Sequence, residues 1–116
     1  MTSSFSRISA NDAKTLIDQG DSQIIDIRDA LSFQAGHMSN ATRIDNQNIA
    51  QFIDQANQQA PLIVCCYHGN SSQNAAHYLS EQGFQQVYSL DGGFEQWKVL
   101  FPDFCHVETV TNSPSE

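Results

Sequence analysis

The sequence predicts a single α/β domain, a mostly parallel sheet with helices on both faces. Three observations carry this. QIIDIR (23–28) is a short β-branched stretch and LIVCCY (62–67) an unbroken apolar run, both suited to strands covered on both sides. The segments between them place apolar residues three and four apart, the period of an amphipathic helix. The two kinds of segment alternate along the chain, the order that crossover-connected parallel strands require.

The elements follow in order. Ser9-Ala10-Asn11-Asp12 reads as a capping box, with Ala13, Leu16 and Ile17 at helical spacing and Gly20 closing the helix. QIIDIR is then a buried strand. DALSFQAGH (29–37) fits a short helix ending at Gly36, and a short strand follows around Thr42 to Ile44. Residues 46–60 are rich in Asn and Gln, which suggests low complexity. Yet Ile49, Phe52, Ile53 and Ala56 fall at i, i+3, i+4 and i+7, so the segment is an amphipathic helix with an amide-rich wet face. Pro61 ends it, and LIVCCY is the strongest strand of the chain. A helix from about Ser72 to Gln82 follows, with Gly83 as its cap. QVYSL (86–90) is a strand, Asp91-Gly92-Gly93 a turn, and FEQWKVLF (94–101) a last short helix. After Pro102 the tail has no periodicity and is expected to be frayed, which leaves a folded part of about 5–101 within one domain spanning 1–116.

Composition bounds what such a domain does. The chain has 116 residues, 40% of them apolar, with seven Phe and one Trp, enough for one real core. Thirteen acidic against five basic residues give a formal net charge of −8, which argues against nucleic acid and anionic membrane surfaces as partners. The N-terminal MTSSFSRISA lacks the apolar stretch of a secretory signal, and the longest apolar run, Leu62 to Tyr67, is too short to span a bilayer. A cytoplasmic location is the expectation. Cys65, Cys66 and Cys105 make no disulfide framework and no CxxC zinc spacing, so free thiols and no metal or other cofactor are expected.

In a parallel sheet, ligands bind outside the carboxyl ends of the strands. Cys66 stands at that end of LIVCC, before a tight turn containing Gly69 and Asn70, both tolerant of positive φ, and Ser71 and Ser72 then open a helix. Strand, tight loop and helix N-terminus together point backbone N–H groups into a concavity that binds anions. A thiolate is an anion, so such a nest can hold one without a cationic neighbour. The alternative is a small hydrophobe at a strand end, where most cysteines sit. Geometry alone leaves these two readings of Cys66 balanced. Cys65 alternates to the opposite face and is expected in the core, and Cys105 is expected to be a surface thiol of the tail.

CYHGNSS after a hydrophobic strand resembles the active-site loop of the rhodanese family, in particular its single-domain thiosulfate sulfurtransferases of the GlpE type. IIDIRDALSFQAGH resembles the family's N-terminal signature and SLDGGFEQW its C-terminal one, so the resemblance covers roughly Phe5 to Phe101. It implies a parallel five-stranded sheet, Cys66 as the catalytic nucleophile, and Tyr67, His68, Gly69, Asn70 and Ser71 completing a six-residue loop that binds substrate mainly through backbone N–H groups. It implies transfer of sulfane sulfur from thiosulfate to cyanide or a thiol acceptor, such as thioredoxin or dihydrolipoate, through a Cys66 persulfide. The larger two-domain members carry basic residues in or near the loop; this loop has none, and with one copy of the domain in the sequence no second domain is expected to cover the site.

Other residues of these motifs read as structural. Asp26 and Arg28 are expected to pair and hold loops at the sheet edge. Gly36-His37 is expected to be a turn with the imidazole satisfied by backbone, Asp91-Gly92-Gly93 to support the rim of the site, and Trp97 to be core. Two rival functions remain. A rhodanese-like phosphatase needs an Arg six residues after the cysteine to grip phosphate, and that position is Ser72. A non-enzymatic binding module needs neither the cysteine nor an intact anion loop, and this chain keeps both.

Overall fold

The structure is a computed structural model that describes residues 4–107. Its elements, in chain order, are β1 (Ser6–Ile8), α1 (Ala10–Asp18), β2 (Gln23–Asp26), α2 (Ala30–Ala35), β3 (His37–Met38), β4 (Thr42–Arg43), α3 (Ile49–Gln55), β5 (Leu62–Cys65), α4 (Ser71–Glu81), β6 (Val87–Leu90), α5 (Gly93–Leu100), a 3-10 turn (Pro102–Phe104) and β7 (Cys105–His106). The expected cap of α1 forms, with Ser9 Oγ accepting from the Asp12 amide at 3.1 Å, and the structure adds a second, in which the Asp29 carboxylate accepts from the Ser32 amide at 3.2 Å and starts α2. The amide-rich segment forms α3, shorter than its flanks suggested.

Five strands build one parallel sheet in the order β1-β6-β5-β2-β4. Side chains alternate across it, so two cores result. On one face Ile24, Ile63, Cys65 and Leu90 pack with Ala13 of α1 and Phe94 and Trp97 of α5. On the other, Ile25, Leu62, Val64 and Val87 pack with Ala76 and Leu79 of α4 and with Ile49, Phe52 and Ile53 of α3. The central strand β5 is wholly buried, flanked by β2 and β6. Its carboxyl end is therefore the most enclosed point of the sheet edge.

The structure corrects two expectations. The chain beyond Pro102 is not frayed as far as it is described. Pro102–Phe104 form the 3-10 turn, and Cys105–His106 pair antiparallel with His37–Met38 as a second, two-stranded sheet. The Trp97 indole N–H donates to the Phe104 carbonyl at 3.2 Å, so the buried tryptophan fastens this return. Cys105 is accordingly half-buried in β7 rather than a surface thiol. The expectation for 108–116 lies outside the described residues.

Candidate active site

Cys66 follows β5 directly and is buried at the head of the loop that leads into α4. Gly69 sits in the left-handed region at φ 93° and turns the chain back, whereas Asn70 does not use its tolerance and keeps φ −91°. Only glycine fits at 69, since a Cβ would meet the Leu90 carbonyl oxygen and the Gly92 nitrogen at 3.0 Å. The turn places two amides on the cysteine sulfur: Gly69 N–H donates to Cys66 Sγ at 3.1 Å and Ser72 N–H at 3.3 Å. Asn70 begins α4 without a side-chain cap, so the sulfur itself takes one of the orphan N–H groups of that helix. The amides of His68, Asn70 and Ser71 have no acceptor among the described residues. They remain available to water or to an anion at the loop.

Ser72 supplies a second group. Cys66 Sγ lies 3.2 Å from Ser72 Oγ, and Ser72 Oγ lies 2.7 Å from Ser89 Oγ on β6; both serines are fully buried. Sequence reasoning missed this pair, because it read Ser72 only as the start of a helix and as the place where a phosphatase arginine is absent. A signal was present in β6: Ser89 is a polar residue at a core position of an apolar strand, and such a residue needs a partner.

Three supports position the loop. The first is the buried ion pair of Asp26 and Arg28, in which Arg28 Nη2 donates to Asp26 Oδ2 at 2.6 Å and to the Gly36 carbonyl at 2.7 Å. Burial pulls the Arg28 guanidinium down, but the hydrogen bonds and charge of Asp26 more than offset this, so it is held above its ordinary value. The second is the start of α5, where Phe94 N–H donates to the Cys66 carbonyl at 2.8 Å and Glu95 N–H to the Tyr67 carbonyl at 3.2 Å. The Asp91-Gly92-Gly93 turn thus supports the rim, as expected. The third is Tyr67, whose hydroxyl donates to Asp29 and lies 3.2 Å from Ser32 Oγ. The Tyr67 bond, followed by those of Ser32, holds the Asp29 carboxylate well below the usual carboxylate range.

The remaining expected residues sort themselves. His68 is exposed and its ring donates nothing to the sulfur, and the Lys98 hydrogen bond and charge hold the Glu95 carboxyl below its ordinary value. Asn70 and Ser71 are exposed at the helix start. The His37 Nδ1 lies 2.7 Å from the Phe33 carbonyl, the backbone bond expected of it. Cys65 points into the core beside Ala10 and Trp97, and burial, with the charge of Asp26 adding to it, pushes its thiol well above its ordinary value. All five Lys and Arg side chains are engaged with carboxylates: Arg7 with Asp91, Lys14 with Asp18, Arg28 with Asp26, Arg43 with Asp45 and Lys98 with Glu95. The chain therefore meets an anion with dipoles rather than with an unpaired cation. An open cavity of about 370 Å³ lies beside the loop, lined among others by Arg28, Tyr67, Phe94, Lys98 and Cys105.

Known proteins resemble this chain in sequence and in shape. It is 52% identical over 102 residues to the thiosulfate sulfurtransferase GlpE of Pseudomonas aeruginosa strain LESB58, covering 88% of this chain and 92% of that one. It is 54% identical over 100 residues to the protein of the same name from Pseudomonas fluorescens strain SBW25, covering 86% and 91%. The fold superimposes on the solution structure of a rhodanese-like domain from Anabaena with a TM-score of 0.76 at 20% identity, covering 95% of this chain and 86% of that domain. It also superimposes on a rhodanese-related protein from Thermoplasma volcanium with a TM-score of 0.70 at 24% identity, covering 83% and 93%. Residues 9–100 match the family model of the rhodanese-like domain, and the chain belongs to that family.

Proposed function

We propose that the chain is a thiosulfate sulfurtransferase in which Cys66 carries the sulfur. One observation supports Cys66 above all: its sulfur, buried at the carboxyl end of the central strand, accepts two backbone N–H groups and faces a hydroxyl. That is an environment for a thiolate, and the same donors suit charge developing on sulfur during transfer. In the first half-reaction the Cys66 thiolate attacks the outer sulfur of thiosulfate. A bond forms between Sγ and that sulfur, the bond within thiosulfate breaks, and sulfite leaves with the electron pair. The loop amides of His68, Asn70 and Ser71 then serve the outer sulfur of the persulfide anion. In the second half-reaction cyanide or a thiolate attacks the outer sulfur, and the electron pair returns to Cys66 Sγ.

The acceptor in the cell is a low-molecular-weight or protein thiol, of which dihydrolipoate and thioredoxin are the forms to test. The place of action is the cytoplasm; among the described residues no helix is long and apolar enough to cross a membrane. A phosphatase is disfavoured, because Ser72 stands where a guanidinium is required and its hydroxyl is occupied with Cys66 and Ser89. Intact-mass spectrometry after thiosulfate treatment tests the proposal. The protein is expected to gain one sulfur atom, located at Cys66 and lost on adding cyanide; no gain, or a gain on another cysteine, overturns it.

A further inference from the structure

We propose that Ser72 is a catalytic residue whose hydroxyl donates to the Cys66 thiolate, and that Ser89 is the positioning residue that makes it do so. The inference rests on Cys66 being the nucleophile. Cys66 Sγ, Ser72 Oγ and Ser89 Oγ stand in a row at 3.2 and 2.7 Å, with both serines fully buried. Among the described residues Ser89 Oγ has no hydrogen-bond partner but Ser72, and Ser72 Oγ none but Cys66 and Ser89.

Counting hydrogens decides the direction of the row. With Cys66 as a thiol the row holds three hydrogens but makes only two bonds, so one hydrogen is left without an acceptor in it. A buried donor left unmade is costly. With Cys66 as a thiolate two hydrogens remain and both are used: Ser89 donates to Ser72, and Ser72 donates to the sulfur. The charged state is thus the one in which the buried row is complete. Ser72 contributes twice, since its amide also donates to the sulfur at 3.3 Å. Ser89 does not change that count; by donating to Ser72 Oγ it polarises the Ser72 hydroxyl toward the sulfur and occupies the oxygen that would otherwise accept from a Cys66 thiol.

The two half-reactions gain differently. Holding the thiolate raises its fraction at neutral pH but lowers the nucleophilicity of each thiolate, so sulfur loading gains only in part. In discharge, Cys66 Sγ is the leaving group: cyanide forms a carbon–sulfur bond to the outer sulfur, the S–S bond breaks, and the electron pair lands on Sγ, where Ser72 donates. Discharge gains in full.

The test compares wild type with Ser72→Ala, Ser89→Ala, the double variant and Ser72→Thr, with folding checked by thermal melts. The first readout is the rate of iodoacetamide alkylation at Cys66 against pH. Ser72→Ala is expected to move the profile to higher pH and to slow alkylation at neutral pH about 3- to 10-fold, the factor a hydrogen bond to a charged group carries less the nucleophilicity that each freed thiolate regains. Ser89→Ala moves it the same way by a smaller factor, adds nothing on the Ser72→Ala background, and Ser72→Thr stays near wild type. The second readout is single-turnover discharge of the persulfide by cyanide, expected to slow at every pH in Ser72→Ala, whereas loading at high pH is not slowed, because each freed thiolate is the better nucleophile. A wild-type alkylation profile in Ser89→Ala overturns the proposal even if Ser72→Ala does not fold. So does a Ser89→Ala effect of equal size on both backgrounds, the mark of independent packing losses. Alkylation needs no thiosulfate, so a failure here is separate from a failure of sulfur loading.

Discussion

Gly93→Ala tests how tightly the candidate loop is bolted to α5. Gly93 has φ 57°, where an L side chain is strained by about 1–2 kcal/mol. A Cβ there also falls 2.5 Å from the Cys66 carbonyl oxygen and against the backbone of Tyr67, so the backbone has to shift on one side or the other. Those carbonyls are the acceptors for Phe94 N–H and Glu95 N–H, and separating the elements costs both bonds. Strain and lost hydrogen bonds together come to roughly 3–6 kcal/mol. Gly20→Ala is the internal control: φ is 102°, but a Cβ there has nothing within 4 Å, so only the strain of about 1–2 kcal/mol applies.

Urea unfolding of the two variants separates the terms. With a slope of about 1–3 kcal/mol per molar, Gly93→Ala should unfold roughly 1–2 M below Gly20→Ala. Sulfur loading measured below the transition should fall on the order of 100-fold in Gly93→Ala, because Cys66 is displaced, and remain near wild type in Gly20→Ala. Equal midpoints for the two variants would show that the loop and α5 give way freely, and that Cys66 is not placed by this contact.

Cys66→Ser should abolish sulfur loading, while Cys65→Ala and Cys105→Ser keep most of it; thiosulfate–cyanide turnover checks all three. Arg28→Ala leaves the Asp26 carboxylate buried without its partner and the Gly36 carbonyl without its donor, and should cost about 3–5 kcal/mol in urea unfolding. Asp29 has a depressed folded value, so its contribution is complete above the ordinary value near 3.9 and is lost as pH falls through the depressed one. The stability gap between wild type and Tyr67→Phe should therefore hold at neutral pH and close in strong acid; a gap independent of pH refutes the Tyr67–Asp29 bond. Raising ionic strength from very low values should modestly increase kcat/KM for thiosulfate, by screening the net charge of −8. A fall with two different salts and no competitive pattern would mean that a cation acts at the site.

Elements with many buried residues per turn were legible in the sequence, and those with few were not. β5 announces itself through an unbroken apolar run, β2 and β6 through short β-branched or aromatic stretches, and α1 through its cap and period. β1 is three residues with only Ile8 buried, below what periodicity can register, so the fifth strand was foreseen only through the family resemblance. β3 and β7 are two residues each and depend on a pairing nearly seventy residues apart in the chain, which no local pattern encodes. The placement of Cys66 was legible because strand end, glycine turn and helix start are local features, whereas its proposed role came from the family resemblance. The Ser72–Ser89 contact was not legible, because it joins α4 to β6 across the sheet edge, and a serine at a helix start reads first as a cap.

The neutrality of the groups on Cys66 bears on how a transferase of this kind turns over. A thiolate and the thiosulfate dianion bring three negative charges together, and sulfite carries most of that charge away. A fixed cation would attract the donor, but it would also hold the departing sulfite dianion at the site. Here every basic side chain is already engaged with a carboxylate, and the sulfur is served by two amides and a hydroxyl. Dipoles of this kind act over the first contact and fade within a turn of helix. In the proposed cycle they would stabilise charge on Cys66 Sγ at the start and end, and on the outer sulfur between, without a long-range hold on either dianion. On this argument the acidic chain gives up capture of thiosulfate at a distance and gains prompt release of sulfite, so sulfite should be a weak product inhibitor relative to family members that carry a basic residue in the loop.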